Sequence, residues 1–204
     1  MPHGTQIEIF INFDQYLVHM TQKRFEIIPE IINILVNQGV HGRQIAEMLE
    51  APLSTVQRAL KILHDENVIE YKTNGRNKVC RIRKDIQAKR RIIDAELYKL
   101  NKLMKKEKWM KPIIKRLTEI DADMVIIFGS YAKGSQMKQS DIDVFIETKE
   151  KSLKEQAESI NTKINAKIGI MDTRDLLIKE IIQNHVFVKG VDRYYERIGF
   201  FEKD

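Results

Sequence analysis

The chain has 204 residues, of which 43% are hydrophobic and 31% charged, and its formal net charge is +6. This much apolar material predicts a folded protein and excludes a disordered one. No apolar run approaches the roughly 18 residues of a membrane span, and no signal-peptide pattern opens the chain, so neither export nor membrane insertion is indicated. Cys80 is the only cysteine. A lone cysteine excludes an internal disulfide and a cysteine-based metal cluster, and it favours a cytoplasmic location.

The positive charge is concentrated in one stretch. Residues 72–116 contain 17 of the 35 Lys and Arg residues and 4 of the 29 acidic residues, a local charge of +13, whereas the rest of the chain carries −7. A concentrated positive field attracts phosphates and supports salt-dependent binding of nucleic acid. A solvated helix face without a ligand is the alternative interpretation.

The first part of the chain shows the order of a helix-turn-helix unit. Residues 7–20 are too short and mixed to assign, and both a strand and a helix stay open there. Apolar spacing predicts helices over residues 24–36, 42–49 and 54–66, with Ser54 as the N-cap of the third. Helix, helix, short turn and helix is the order that such a unit requires.

Two strands are predicted next, over residues 68–72 and 78–83, and the Asn-Gly pair between them indicates a hairpin turn. The stretch RQIAEMLEAPLSTVQRALKILHDENVIEYKTNGRNKVCRI resembles the winged-helix domains of bacterial and archaeal transcriptional regulators, over roughly residues 21–84. The resemblance implies double-stranded DNA as a partner, contacted by the outward side of the third helix and by the hairpin, or wing. The candidate DNA-binding residues are Ser54, Thr55, Gln57, Arg58, Lys61, Lys72, Arg76 and Lys78. A protein-interaction domain of the same fold is the alternative.

Residues 85–108 contain neither Gly nor Pro and predict one long basic helix. Its expected apolar side consists of Ile86, Ile93, Leu97, Leu100 and Met104. That side packs on one of the flanking domains or on the same helix of a second subunit, so a homodimer stays open.

A second group of elements carries polar residues suited to phosphate chemistry. Residues 124–128 predict a buried strand that stops at Gly129, where a short helix begins. Glycine lets a phosphate approach the backbone, and the helix start offers N–H donors, to which Ser130 adds a hydroxyl.

Two carboxylates follow on the next predicted strand, residues 140–146. Asp141 and Asp143 are two residues apart, so on a strand both side chains project from one face, close enough to share divalent metal ions. Such ions remove the repulsion between the carboxylates and stabilise charge on a transferring phosphate.

The sequence FGSYAKGSQMKQSDIDVFI resembles the Gly-Ser, Gly, Ser-Asp-x-Asp signature of the minimal nucleotidyltransferases of the polymerase-beta superfamily. Together with NHVFVKGVDRYYERI, which is similar to the ending of archaeal members, the resemblance covers roughly residues 109–200. It implies a small mixed sheet flanked by helices, and transfer of a nucleoside monophosphate from a nucleoside triphosphate with Mg²⁺ or Mn²⁺. The implied nucleotide-binding residues are Gly129, Ser130, Lys133 and Ser140, and the implied catalytic and metal-binding residues are Asp141 and Asp143.

One departure from the signature concerns a third carboxylate. Such enzymes carry it on a later strand, which we expect at residues 167–171, and Gly169 then stands at the acidic position. Asp172 has the wrong parity for the same face, and Glu147 lies about 13 Å from Asp143 along its strand at roughly 3.3 Å per residue. The sequence favours an enzyme, with this position as the argument against catalysis.

The predicted fold class is α+β, with an N-terminal winged helix-turn-helix over residues 1–84, a connecting helix over 85–108 and a nucleotidyltransferase-like domain over 109–204. The leading hypothesis is a DNA-binding transcriptional regulator whose second domain binds a nucleoside triphosphate and Mg²⁺ and transfers a nucleotide to an acceptor that the sequence does not name. The alternative is a non-catalytic, antitoxin-like module that binds a small helical partner protein. A template-dependent polymerase or RNA-end-adding enzyme is a third hypothesis, supported only by the basic helix.

Two further groups of residues are expected to have packing or surface roles. The five histidines show no metal-ligand spacing with Cys80 or with each other. The aromatic residues expected in the core are Trp109, Tyr194, Tyr195, Phe200 and Phe201.

Overall fold

The structure is a computed structural model, and it describes residues 26–74 and 77–201. Residues 7–20 and the candidate DNA contact Arg76 lie outside these ranges. The chain divides into two compact units, Met1–Ala95 and Glu96–Asp204. Within the two described ranges, no helix is long and apolar enough to cross a membrane.

The first unit opens with helices and a three-stranded antiparallel sheet. The described helices are α1, over residues 26–37, α2, Gly42–Met48, and α3, Leu53–Asp65, and the strands are β1, Val40–His41, β2, Ile69–Asn74, and β3, Asn77–Ile82. The order of the sheet is β1-β3-β2. The side chains of Val56, Leu60 and Leu63 are buried and lie on one side of α3, as a helical period of 3.6 residues requires.

Three details of this unit differ from the sequence-based predictions. Helix α3 begins at Leu53 and has Pro52, without a side-chain cap, at its N-cap. Ser54 is therefore not the cap, because the carbonyl of Pro52 already accepts hydrogen bonds from Thr55 and Val56. Strand β1 was not predicted; it pairs with β3 through Val40 and Cys80.

The hairpin also extends further than predicted. The ladder between β2 and β3 runs to the pair Asn74 and Asn77, so the connection is shorter than the five residues expected. Cys80 is buried in β3, where burial raises the pKa of its thiol to about 11.

A long helix, α4, Ile86–Lys106, follows the hairpin. Its first turn is capped by Asp85, whose Oδ1 accepts a hydrogen bond from the backbone N–H of Ala88 over 3.1 Å. The predicted apolar side is wrong in part: Ile86 and Leu97 are 73% and 47% exposed, whereas Leu100 and Met104 pack against the core of the second unit. The buried residues of the helix are Ala88, Ile92, Ala95, Glu96 and Leu103. Small alanines and a buried glutamate mark this side, which a count of large apolar residues misses.

The second unit contains a four-stranded mixed sheet with helices around it. Its elements in order are the remainder of α4, a 3₁₀ turn at Lys108–Met110, α5, Lys111–Thr118, β4, Val125–Phe128, α6, Gly129–Lys133, β5, Ile142–Glu147, α7, Lys151–Ile160, β6, Ile164–Gly169, α8, Leu176–Gln183, β7, Val186–Lys189, and α9, Val191–Arg197. The strand order is β6-β5-β4-β7. Strands β5 and β6 are parallel, and the other two pairs are antiparallel. This mixed α+β architecture agrees with the predicted class.

One hydrophobic cluster of the second unit lies on one face of this sheet. Alternate residues Val125 and Ile127 of β4 and Val144 of β5 belong to one buried cluster with Ile113 and Leu117 of α5. The period of two along each strand sends the intervening residues to the other face. Asp143 is among those intervening residues, so the core positions on both sides of it determine which way it points.

Candidate functional site

The closest approach in the candidate site joins Gly129 to Asp143. Strand β4 ends at Phe128, which pairs with Asp143 across the sheet, and the chain then turns through Gly129 with φ +66°. A Cβ at residue 129 would lie 2.3 Å from Oδ2 of Asp143. Glycine is favoured at this position, because both the positive φ and the close approach of Asp143 disfavour a side chain.

The second predicted carboxylate, Asp141, lies immediately before β5 and is exposed. Ser140 precedes it, and its Oγ accepts a hydrogen bond from the backbone N–H of Met137 over 2.8 Å. Ser140 therefore shapes the turn that leads into the acidic pair. Burial, together with the nearby carboxylates of Glu107 and Asp141, raises the pKa of Tyr131 in α6, so Asp141 lies close to the helix that follows Gly129.

The register of the sheet corrects the predicted third position. Asp143 pairs with Asn165 on β6, and Gly169 pairs with Glu147 near the opposite end of β5. The side-chain amide Nδ2 of Asn165 donates a hydrogen bond to Oδ1 of Asp143 over 2.9 Å. The prediction that Gly169 lies beside the acidic pair is wrong, because β6 begins at Ile164, three residues earlier than the predicted strand. Asn165, a neutral side chain, stands beside Asp143.

Lys133, predicted to bind the triphosphate, has a carboxylate partner. Its ammonium nitrogen lies 2.8 Å from Oε1 of Glu180 on α8. Both side chains are 43% exposed, and an exposed ion pair of this kind contributes only about 0 to 1 kcal/mol. The pair therefore leaves Lys133 able to exchange Glu180 for a phosphate.

Two other acids considered from the sequence have separate partners. An oxygen of Glu147 lies 3.3 Å from Nε of Arg197 and accepts a hydrogen bond from the backbone N–H of Met171. Asp172 forms an ion pair with Arg174 over 2.7 Å. Glu147 and Asp172 are therefore paired with arginines, and neither is assigned to the candidate site with Asp141 and Asp143.

One family comparison covers this region. Residues 108–194 match the family described as Polymerase beta, Nucleotidyltransferase. The matched segment is fewer than half of the 204 residues, and it contains Gly129, the acidic pair and Asn165. Searches of curated proteins and of solved structures found no match to the chain.

The nucleotidyltransferase family implies a divalent metal ion, and the donor set can be tested against it. Among the described residues, no group of three or more His, Cys, Asp or Glu side chains is arranged to hold a metal. The carboxylate oxygens of Asp141 and Asp143 are nevertheless hard ligands of the kind that Mg²⁺ and Mn²⁺ prefer, whereas Asn165 presents its amide nitrogen to Asp143. The two aspartates fit a divalent ion with two negative charges in the donor set, whereas three carboxylates would supply three.

A buried polar cluster in the second unit was not predicted. Glu96 is 1% exposed, and its Oε1 accepts a hydrogen bond from the hydroxyl of Tyr195 over 2.8 Å. Lys99 lies 2.8 Å from Oε2, and Nε2 of His185 lies 3.2 Å from Oε1. Nδ1–H of His185 donates to the carbonyl of Ile181. Burial alone would raise the pKa of Glu96, but His185 and Lys99 outweigh it and lower the pKa to about 2.

The sequence contains only a weak signal for this cluster. Glu96 lies four residues after Ile92, on the buried side of α4, where a charged side chain requires a partner. Two of its partners, His185 and Tyr195, are 89 and 99 residues away in the chain, so their meeting depends on the tertiary fold.

The candidate DNA-binding residues of the first unit are distributed over α3 and the hairpin. Ser54, Gln57, Arg58 and Lys61 are exposed on α3, whereas Thr55 is half-buried. The hairpin contributes two exposed lysines with local partners. Lys72 lies 3.4 Å from Glu70, and the ammonium of Lys78 lies 3.8 Å from the ring centroid of Tyr71.

The aromatic residues expected in the core fall into two groups. Tyr194 and Tyr195 are buried, at 2% and 1% exposed, as predicted. Trp109 is 42% exposed, so its prediction as a core residue is wrong. The 3₁₀ turn at Lys108–Met110 explains the difference, because it directs Met110 inward and leaves Trp109 at the surface.

Proposed function

We propose that the nucleotidyltransferase-like domain binds a nucleoside triphosphate together with Mg²⁺ or Mn²⁺. The observation that carries the proposal is the contact between Gly129 and Asp143, which brings a backbone suited to phosphate next to a carboxylate suited to a metal ion. A site for a metal-bound triphosphate requires these two features side by side.

In this proposal, one group of residues binds the phosphates and another binds the metal ion. The backbone at Gly129 and the hydroxyl of Ser130 donate hydrogen bonds to phosphate oxygens, and Lys133 adds positive charge once it leaves Glu180. Asp141 and Asp143 hold the metal ion, and Ser140 keeps the turn before them in place. A bound divalent ion supplies the positive charge that draws phosphate oxygens and carboxylates together and polarises the phosphoryl group.

Asn165 bears on whether the nucleotide is transferred. Its neutral amide hydrogen-bonds Asp143 at the position where a third carboxylate would add charge and accept a proton from an acceptor hydroxyl. A neutral amide does neither at ordinary pH. We propose that the domain binds nucleotide firmly and transfers it slowly to its acceptor; Asn165 equally favours the second candidate, a non-catalytic, antitoxin-like module that binds a helical partner protein.

Titration calorimetry with each of the four nucleoside triphosphates, with and without Mg²⁺, tests the nucleotide site. The expected result is metal-dependent binding that is lost when Asp141 and Asp143 are both changed to Asn. A matched control changes two exposed acids of the same domain, Glu119→Gln and Asp121→Asn, and should bind as the wild type does. If no nucleotide binds in any condition, the nucleotide proposal fails and the partner-binding candidate takes its place.

We also propose that the first unit is a winged helix that binds double-stranded DNA. The protein would then act as a transcriptional regulator in the cytoplasm, and a homodimer stays open. The exposed Gln57, Arg58 and Lys61 on α3 support this, since polar and basic side chains of a recognition helix contact base edges and phosphates. Lys72, Lys78 and Arg76 are the proposed wing contacts. A bound nucleotide regulates DNA binding only if its affinity differs between two states of the protein.

A mobility-shift assay on genomic fragments, at several salt concentrations, tests the DNA proposal. Arg58→Gln with Lys61→Gln is expected to weaken binding and to reduce the slope of log affinity against log salt by about 2. Lys149→Gln with Lys151→Gln removes the same charge from exposed sites in the second unit and serves as control. Equal affinities for the two double variants would refute the assignment of α3 as the DNA-contacting helix.

A further inference from the structure

An exposed tryptophan lies within the most basic segment of the second unit. Residues 102–116 contain seven Lys and Arg residues and one acid, a local charge of +6, whereas residues 117–204 carry −3. Trp109 is 42% exposed in this segment. Lysine and arginine side chains commonly surround a solvated helix, and an exposed aromatic ring among them adds a flat surface on which a base can stack.

The exposed face of α5 and of the turn before it is composed of two adjacent strips. Lys108, Lys111 and Lys115 are exposed and follow one another at helical spacing, and Trp109, Pro112 and Arg116 are exposed beside them. We call these six residues the basic aromatic face. The apolar residues of α5, Ile113, Ile114 and Leu117, are buried in the core. The basic aromatic face is therefore not part of the hydrophobic core.

The ring of Trp109 is held in place by several neighbours, among them the ammonium of Lys163, which lies over one face at 5.4 Å from the ring centroid. Its Nε1–H donates a hydrogen bond to Oε2 of Glu107 over 2.8 Å, and Glu107 in turn accepts one from the amide of Gln136. Tyr131 meets the ring edge-to-face, with centroids 6.3 Å apart. A ring fixed in this way loses little conformational entropy when a base stacks on it.

We propose that the basic aromatic face binds a single-stranded nucleic acid, with a base stacked on Trp109 and phosphates at Lys108, Lys111, Lys115 and Arg116. Base stacking on a fixed aromatic ring beside a positively charged groove is the usual way in which proteins bind single strands, and it does not depend on the base sequence. Charge complementarity and the exposed ring both point to this ligand. An anionic lipid surface fits less well, because membrane-bound helices expose a broad apolar face and the apolar face of α5 is buried. The proposal does not depend on nucleotidyl transfer.

Trp109 is the only tryptophan in the chain, so its fluorescence reports directly on this face. Titration with a 12-residue oligo(dT) or oligo(U) is expected to quench the emission to saturation, and the two arms distinguish a DNA strand from an RNA strand. Vesicles of phosphatidylcholine and phosphatidylserine are the third arm. Quenching by the vesicles without quenching by either oligonucleotide would overturn the proposal in favour of a membrane.

Variants then locate the binding by anisotropy of a labelled oligonucleotide on the full chain. Trp109→Ala should weaken binding roughly ten- to hundredfold, and Trp109→Phe, which retains an aromatic ring and guards against a folding defect, should weaken it less. Changing Lys108, Lys111 and Lys115 to Gln should reduce the salt slope by about 2, at roughly 0.7 per phosphate contact. The control triple variant, with Lys149, Lys151 and Lys179 changed to Gln, should keep the wild-type slope.

The result separates this proposal from the nucleotide site. Asp141→Asn with Asp143→Asn is expected to bind the oligonucleotide as the wild type does, whether or not it binds a nucleoside triphosphate. Affinity and salt slope unchanged in both Trp109→Ala and the lysine triple variant would place the strand elsewhere on the protein and overturn the assignment of this face.

Discussion

At the scale of single residues, the candidate site depends on one glycine. Gly129 combines a φ of +66° with a carboxylate oxygen where its Cβ would lie. Gly134, at the end of α6, has a similar φ of +72° but nothing within 4 Å of the same position. The two glycines therefore separate the effect of backbone conformation from the effect of the contact with Asp143.

We predict that Gly129→Ala destabilises the protein more than Gly134→Ala does. Both variants lose about 1 to 2 kcal/mol from the left-handed backbone, and Gly129→Ala loses a further 1 to 3 kcal/mol, roughly, because the new methyl group displaces Asp143. Urea denaturation followed by Trp109 fluorescence measures both. Calorimetry should show that only Gly129→Ala also loses nucleotide binding, and equal behaviour of the two variants would contradict the contact.

Asn165 is the second decisive residue. We predict that Asn165→Asp destabilises the metal-free protein by about 1 to 3 kcal/mol, because a hydrogen bond to Asp143 is replaced by repulsion between like charges. Mg²⁺ should restore the melting temperature of this variant and raise that of the wild type less. Thermal unfolding with Mg²⁺ and with EDTA provides the comparison, and Asn101→Asp, on the exposed side of α4, is the control. If the melting temperature of Asn165→Asp is the same with Mg²⁺ and with EDTA, no ion is held beside Asp143.

At the scale of elements, the buried cluster joins α4 to α9 and to the start of β7. The carboxylate of Glu96 is surrounded by the hydroxyl of Tyr195, the imidazole of His185 and the ammonium of Lys99. A buried charge is tolerated only when it is paired and hydrogen-bonded, so this cluster constrains how the three elements meet. Tyr194 packs against the His185 ring, with the ring centroids 5.1 Å apart.

This cluster predicts a loss of stability in acid. The folded pKa of Glu96, about 2, lies below the roughly 4.3 of an unfolded glutamate, so its contribution is fully present above about pH 5 and is lost as pH falls towards 2. The shift corresponds to a few kcal/mol, roughly 3. The free energy of unfolding of the wild type should therefore fall between pH 5 and 2 more steeply than that of Glu96→Gln.

The variant itself is a stability test of the same cluster. Glu96→Gln should lose about 3 to 5 kcal/mol at pH 7, because Lys99 and His185 lose a buried partner charge. Tyr195→Phe, which removes one hydrogen bond and keeps the ring, should lose only about 1 kcal/mol. Urea titrations at each pH give the values, and a shared pH profile for Glu96→Gln and wild type would exclude Glu96 as the source.

At the scale of the whole molecule, the limits of the basic stretch do not coincide with the boundary between the two compact units. The +13 of residues 72–116 spans the boundary between the two units at residue 95, so each unit carries part of the basic stretch. For this reason nucleic-acid binding is proposed twice, for α3 and the hairpin with duplex DNA and for the basic aromatic face with single strands. Each proposal has its own charge-removing variants.

The division into two units is open to test, because each unit contains one intrinsic probe. Cys80, the only cysteine, lies buried in the first unit, and Trp109, the only tryptophan, lies in the second. We predict that Glu96→Gln moves the urea transition seen by Trp109 fluorescence to lower urea and leaves the transition seen by Cys80 thiol labelling unchanged. Labelling requires opening of the first unit, because burial keeps the thiol protonated and covered. A joint shift of both transitions would mean that the chain unfolds as one cooperative unit.

Much of the architecture follows from local sequence. The helices α2 and α3, the buried strand β4 and the short helix α6 agree closely with the periodicity of apolar residues and with Gly129 and Gly134 at the two ends of α6. Asp143 lies in β5 as predicted, whereas Asp141, predicted on the same strand, lies immediately before its first residue, Ile142. These features depend on residues within a few positions of each other, where spacing alone decides which side chains share a face.

Three features were decided only by the tertiary structure. Asn165 meets Asp143 across 22 residues of chain because of the register between two strands, and a shift of a few residues had suggested Gly169. Glu96 is buried because of the rotation of α4, which also leaves Ile86 and Leu97 exposed. Trp109 is exposed because a 3₁₀ turn precedes α5. Register and helix rotation depend on contacts between distant parts of the chain, and no local pattern of residues contains them.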